Sequence, residues 1–290
     1  MSRVLVTGTG GFVGGHVARD LAGRGFEVVG LQRRPAADAG FPVIAADFTA
    51  GLGGLPRRVD AIVHIGATSP QPGVTPDRLV RDNIEATRLL VDYAGEAGAR
   101  SFIFASSMSV YGRIEAEIAD ETTPRIDPDL YGTTKFVGEK LLEAKADALP
   151  SLAIRLPGVL GLGARRNFIS ETTQRLLRDE PVEAFNPEAP FNNAAHVDDL
   201  AAMFARLLER GLAGFDAVTV AAAGMTTIRE ALLRLRARIG SRSEIRFDEK
   251  RRHSFTVSSR RAIELHGYAP MEIDALLDRY ADAERGALGR

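Results

Sequence analysis

Residues 7–14 read Thr7-Gly8-Thr9-Gly10-Gly11-Phe12-Val13-Gly14, directly behind the apolar run Val4-Leu5-Val6 and directly ahead of a helical stretch. No other feature restricts the fold of this chain as much. A turn that passes from strand to helix without Cβ atoms lets backbone amides approach an anion, which then rests at the positive end of the helix dipole. Gly8, Gly11 and Gly14 supply that room, and Phe12 and Val13 are expected at the cofactor with them. Strand before and helix after is the context a dinucleotide-binding turn requires. A purely structural turn is the alternative.

Further short apolar runs follow at Val28-Val29, Val43-Ile44, Ala61-Ile62-Val63, Phe102-Ile103-Phe104 and Leu152-Ala153-Ile154, mostly separated by enough chain for a helix. Strands that are apolar at consecutive positions are covered on both faces. The rhythm therefore predicts an α/β fold, a Rossmann-type doubly wound parallel sheet with a smaller C-terminal substrate-binding lobe. Helices are expected over 14–24, 76–97, 131–148 and 196–210, with another near 169–178, one more strand over 216–220, and short helices beyond. The expected division is 1–160 as dinucleotide-binding domain, with 196–222 returning to it, and 161–195 plus 223–290 as the lobe.

A formal net charge of -1 over 290 residues leaves no global basic field, which argues against nucleic acid or an anionic membrane as partner. No apolar run reaches the roughly 18 residues that cross a bilayer, and the first run is too short for a signal peptide. With Cys 0 there is no disulfide, thiolate zinc site or cysteine nucleophile. The expected compartment is cytoplasmic. His64, in a strand, and His196, at a helix start, lack metal-ligand spacing, so no metal is expected and both read as structural.

Tyr131 and Lys135 stand four apart at the start of a helix, on one face. A phenol with an ordinary pKa of about 10 is a poor acid/base at neutral pH, and a nearby ammonium stabilises its phenolate. The strand over 102–106 ends in hydroxyls, Ser107 and Ser109 among them. In open α/β sheets the ligand crevice lies beyond the carboxyl ends of the strands, so these hydroxyls arrive where substrate is expected. Capping of the strand end is the plainer reading.

The order of TGTGGFVG (7–14), DF (47–48), VHIGA (63–67), DNIEAT (82–87), SSMSVYG (106–112), YGTTK (131–135) and HVDDLA (196–201) resembles the extended short-chain dehydrogenase/reductase family across nearly the whole chain. That family contains NAD(P)-dependent nucleotide-sugar epimerases, dehydratases and reductases. The resemblance implies Tyr131 as catalytic acid/base, Lys135 as holder of the nicotinamide ribose and tuner of Tyr131, and Ser107 as the group that positions the reacting oxygen. It further implies Asp47 and Phe48 at adenine, Gly66 and Ala67 at the pyrophosphate and ribose, and Leu156 and Pro157 behind the nicotinamide. Asn83 would fix the helix beneath the site, and the helices over 76–97 and from Tyr131 would pair in a homodimer.

The chain also departs from the family. Dehydratases show TDEVYG where this chain has Ser107-Met108-Ser109-Val110-Tyr111-Gly112, so the elimination acids are missing, and epimerisation at carbons 3 and 5 needs a cysteine. Asn192 stands where an arginine often grips a nucleotide phosphate, while Asn167 matches a substrate-contacting asparagine. Arg165, Arg166 and the run ending in Arg252 are the remaining sources of positive charge there. The expected substrate contacts are Ser109, Asn167, Asn192 and Arg252.

An acid about 20 residues beyond the glycine turn would hold ribose hydroxyls and repel a 2′-phosphate. The chain offers Gln32-Arg33-Arg34 instead, and NADP-using members of the family show similar runs, so NADP is preferred over NAD. Three functions stand open: an NAD(P)-dependent oxidoreductase acting on a keto or hydroxyl carbon of a sugar-type, nucleotide-linked small molecule; a nucleotide-sugar 4-epimerase with tightly bound NAD; and a non-catalytic dinucleotide sensor.

Overall fold

The computed structural model describes residues 2–35, 39–46, 53–250 and 253–288. The chain divides into two compact units, one made of Met1–Arg113, Pro124–Leu156 and Leu200–Thr219, the other of Ile114–Thr123, Pro157–Asp199 and Val220–Arg290.

The first unit is built on strands β1 (Arg3–Thr7), β2 (Glu27–Gln32), β3 (Val43–Ala45), β4 (Ala61–His64) and β5 (Ser101–Ser107). Two later strands, β7 (Ser151–Leu156) and β12 (Phe215–Thr219), complete a 7-stranded sheet in the order β12-β7-β5-β4-β1-β2-β3. Every neighbouring pair is parallel. The central strands are buried along all or all but one of their residues, Leu5, Ile62, Phe102 and Leu152 among them, as consecutive apolar positions predict. The order reverses between β1 and β4, whose last residues, Thr7 and His64, lie opposite one another. That is the switch point beyond which ligands bind in open sheets.

Helix α1 (Phe12–Gly23) follows the glycine turn. The single helix expected over 76–97 has three registers: α2 (Pro76–Leu79), a π-helical segment Val80–Glu85, and α3 (Ala86–Glu96). Asn83 lies inside the π segment, buried, where its Oδ1 accepts from Thr68 N at 2.8 Å and its Nδ2 donates to Thr68 O and Thr134 Oγ1, each at 3.0 Å. Helix α4 (Leu130–Glu143) starts at Asp129, whose carboxylate accepts from Gly132 N at 2.7 Å.

The second unit carries short strand pairs: β6 (Ile118–Ala119) with β15 (Thr256–Val257), β8 (Gly158–Leu160) with β11 (Ala194–His196), β9 (Val182–Phe185) with β14 (Ile245–Asp248), and β10 (Pro190–Phe191) with β13 (Thr226–Thr227). Its helices include α5 (Phe168–Leu177), α7 (Ile228–Ile239), α8 (Arg260–His266) and α9 (Ile273–Leu288), while α6 (Val197–Arg210) runs from this unit into the first. At 16 residues, α9 is longer than the short helices expected there. Ion pairs align α7 with α9: Arg234 meets Asp274 and Asp278, and Arg238 meets Asp282. Among the described residues no helix is long and apolar enough to cross a membrane.

Candidate active site

The glycine turn forms a cradle that side chains would close. Gly8 has φ +75°, and a Cβ there would come within 2.7 Å of the Gly66 backbone; a Cβ on Gly14 would lie 2.2 Å from the Gly8 carbonyl oxygen. Gly11 caps α1 without a side-chain hydrogen bond and no acid stands in the first turn, so the positive end of the helix, with Phe12 and Val13, is left uncompensated. These residues fit a pyrophosphate. Gly66 and Ala67, half-buried after β4, border the turn, and Thr7 Oγ1 accepts from Ile65 N at 3.1 Å and Gly66 N at 2.9 Å. Asp47 and Phe48 lie outside the described residues.

At the end of β2, Gln32 is spent locally: its Oε1 accepts from Thr9 Oγ1 at 2.9 Å and its Nε2 donates to Arg34 O at 2.7 Å. Arg33 and Arg34 are exposed. Arg33, Arg78 and Arg81 all reach Asp82, at 3.3, 3.3 and 3.4 Å, which leaves one carboxylate among three guanidiniums.

Ser107 ends β5 level with Leu156, which ends β7; Pro157 follows as the first residue of its segment in the second unit. The Ser107 hydroxyl accepts from Ser109 N and donates to Ser109 Oγ, both at 3.1 Å, capping the 3-10 turn Met108–Tyr111. Helix α4 brings Tyr131 to it because Gly132 has no side chain: a Cβ there would stand 2.0 Å from the Ser109 carbonyl oxygen. Burial holds the Tyr131 phenol above its ordinary value, with hydrogen bonding to Ser69 and Ser107 pulling it down and Asp129 pushing it up. Lys135 follows one turn later on the same helix. Its Nζ donates to Ala105 O at 2.8 Å and stands 6.0 Å from the Tyr131 ring centre. Burial brings the Lys135 ammonium down to about 7, against the pull of Glu139.

Of the expected substrate contacts, Arg252 lies outside the described residues, and Ser109 sits beside Ser107 as above. Asn167 caps α5, its Oδ1 accepting from Ser170 N at 2.9 Å and its Nδ2 donating to Val159 O at 3.1 Å. Asn192 is buried and its amide clamps β15, Oδ1 accepting from Val257 N at 2.9 Å and Nδ2 donating to Val257 O at 2.8 Å. Arg165 is likewise tied to Glu284 at 3.3 Å.

Residues 4–221 match the family described as NAD dependent epimerase/dehydratase. The chain belongs to that family. Among curated members, a UDP-glucose 4-epimerase of Azospirillum brasilense is 31% identical over 172 residues, 55% of this chain and 49% of the relative. A 3-beta-hydroxysteroid dehydrogenase of Mycolicibacterium neoaurum is 32% identical over 58% of this chain and 50% of its own length. The matched regions thus span about half of these relatives. A solved structure of MoeE5 in complex with UDP-glucuronic acid and NAD superposes with a TM-score of 0.80 at 27% identity, covering 98% of this chain and 99% of that one.

Two parts of this candidate site escape sequence reasoning. Ser69, in the loop after β4, pulls the Tyr131 phenol down, with nothing in ATSP to separate it from an ordinary turn serine. Beneath Lys135, Glu139 receives Arg155 through two bonds and the Ser106 hydroxyl at 2.6 Å, while Arg155 Nη1 donates to Tyr111 Oη at 2.7 Å. The one available signal for that network is Glu139 at the next helical repeat after Tyr131 and Lys135.

Proposed function

We propose that the chain is an NAD(P)-dependent oxidoreductase that moves a hydride between the cofactor and a keto or hydroxyl carbon of a sugar-type, nucleotide-linked substrate. One observation carries the reading: α4 carries Tyr131 and, one turn on, buried Lys135, and its Gly132 packs against Ser109 in the serine turn at the carboxyl end of β5, where ligands bind in open parallel sheets. When bound, the dinucleotide supplies the hydride donor or acceptor. Tyr131 exchanges the proton with the substrate oxygen, Ser107 and Ser109 orient that oxygen, and Lys135 holds the ribose and favours the phenolate. Gly8, Gly11, Phe12, Val13 and Gly14 hold the pyrophosphate, Gly66 and Ala67 line it, and Leu156 and Pro157 back the nicotinamide.

NADP is the preferred cofactor in this reading. Gln32 carries no charge to repel a 2′-phosphate, and Arg33 and Arg34 face solvent within a group of arginines that Asp82 only partly neutralises. The competing reaction is 4-epimerisation with retained NAD, which the 4-epimerase relative supports; the steroid dehydrogenase relative makes a secondary alcohol on an apolar skeleton the competing substrate. A homodimer through α3 and α4 is part of the proposal, supported by exposed Val80 and Leu130 beside them, as is a reducing cytoplasm, supported by Cys 0.

The test is turnover on a panel of UDP-sugars and 3-hydroxysteroids with NADP+ and with NAD+, and on the corresponding keto compounds with NADPH and with NADH. Tyr131→Phe should lower kcat by about 10²–10⁴ on the accepted substrate; unchanged turnover removes Tyr131 from the chemistry. Interconversion of epimers without net cofactor consumption would select the epimerase.

A further inference from the structure

A histidine on a buried strand is usually a satisfied core residue, and His64 at the end of β4 is 1% exposed, between the rings of Phe102 and Phe104 at 6.1 and 5.5 Å. Its two nitrogens, however, face hydroxyls whose hydrogens can be placed by counting. Thr7 Oγ1 already accepts from the amides of Ile65 and Gly66, so its one hydrogen goes to His64 Nδ1 at 2.7 Å. The Thr87 hydroxyl donates to Asn83 O at 2.5 Å, so towards His64 Nε2, 3.0 Å away, it is the acceptor. The ring must then carry its hydrogen on Nε2 and be neutral. Burial agrees, bringing the imidazolium down to about 3, with Lys135 acting in the same direction.

The chain of bonds goes on past Thr87. Asn83 Nδ2 donates to Thr134 Oγ1 at 3.0 Å, and the Thr134 hydroxyl donates to Tyr131 O at 2.8 Å. At the other end, the residue that Thr7 pins, Gly66, lies against Gly8 of the glycine turn. We propose that His64, fixed as the Nε2–H tautomer, is a positioning residue that ties the dinucleotide turn to the helix of Tyr131 through this directed chain. The proposal rests on the reading of the turn and of Tyr131 given above.

Its consequence is coupled. Without the ring, the Thr7 hydroxyl loses its acceptor and Thr87 Oγ1 its donor, both buried, so the Gly66 wall and the Asn83–Thr134 contact loosen together.

The tautomer is read on the full chain with nitrogen-15 histidine labelling, the His64 signals being those that remain when His16, His196, His253 and His266 are each replaced by Gln. A neutral Nε2–H pattern constant from about pH 5 to 8 is expected; an imidazolium or an Nδ1–H pattern overturns the proposal. The coupling is read by calorimetric dinucleotide binding and by steady-state kinetics. His64→Phe, which keeps a ring and removes both bonds, should weaken dinucleotide binding about tenfold and lower kcat as well, and His64→Gln should recover part of both. Wild-type affinity and kcat in His64→Phe overturn the proposal, and so does wild-type affinity in His64→Gln should the phenylalanine variant not fold. Turnover surviving Tyr131→Phe would remove the acid/base assignment while leaving the tautomer and binding results standing, so the two readings fail separately.

Discussion

Arg155 and Glu139 form a buried bidentate pair, Nε to Oε1 at 3.0 Å and Nη2 to Oε2 at 2.8 Å, with side chains 4% and 3% exposed. Removing one member of such a pair strands the other charge away from water. Glu139→Gln should therefore cost about 3–5 kcal/mol of stability, read from the urea midpoint. Because the Glu139 carboxylate is what holds the Lys135 ammonium up, the same change should push Lys135 lower still. A variant as stable as the parent would show that the pair is not sustained in solution.

Lys135 gives stability a pH dependence of definite sign. Its ammonium titrates near about 7 when folded and at its ordinary 10.5 when unfolded. Between those values the unfolded chain holds the extra proton, so stability rises with pH across that window, by on the order of a few kcal/mol. Phenols titrate near the upper end, so the quantity to measure is the difference between the parent and Lys135→Met in unfolding free energy at a series of pH values. Parallel curves for the two proteins would refute a buried lysine of this kind.

Gly132 sets how closely α4 approaches the serine turn. In Gly132→Ala the new methyl would stand 2.0 Å from the Ser109 carbonyl oxygen, so the first turn of α4 must move and take Tyr131 with it. A shift of about 1 Å at a reacting group can cost on the order of 10² in rate. The expected result is a drop in kcat of that size with dinucleotide affinity nearly retained, since the glycine turn is untouched. Equal losses in both would point to general unfolding instead.

Cofactor choice is read from Arg33 and Arg34. The double variant Arg33→Ala/Arg34→Ala should raise KM for NADPH by about tenfold or more and leave KM for NADH within about twofold, as expected if guanidiniums pair with the 2′-phosphate. A parent enzyme with no preference for NADPH would settle the matter against NADP without any variant.

The parallel sheet was legible because runs such as Val4-Leu5-Val6 and Phe102-Ile103-Phe104 are apolar at consecutive positions, a pattern that two-sided burial alone produces. Tyr131 and Lys135 were legible because their spacing matches one helical turn. The π segment was not, since an apolar stripe has the same residues whether one turn holds an extra residue or not, and what marks the change is Asn83 reaching Thr68 and Thr134. The bonds of Asn192 were not legible, because position along the chain says nothing of which backbone its amide will meet. The direction of Lys135 Nζ was not legible either: helical spacing puts it on one face with Tyr131, while where Nζ points is set by the Ala105 carbonyl.

The seventh strand of the first unit, β12, is formed by Phe215–Thr219, after the chain has already laid down Pro157–Asp199 of the second unit. During synthesis from the N-terminus, the edge of β7 that β12 covers must therefore wait, its amides and carbonyls unpaired, while much of the other unit leaves the ribosome. A nascent chain halted before Phe215 exposes a sticky sheet edge, so the interleaving of the two units places the risk of aggregation at one definite stage of translation.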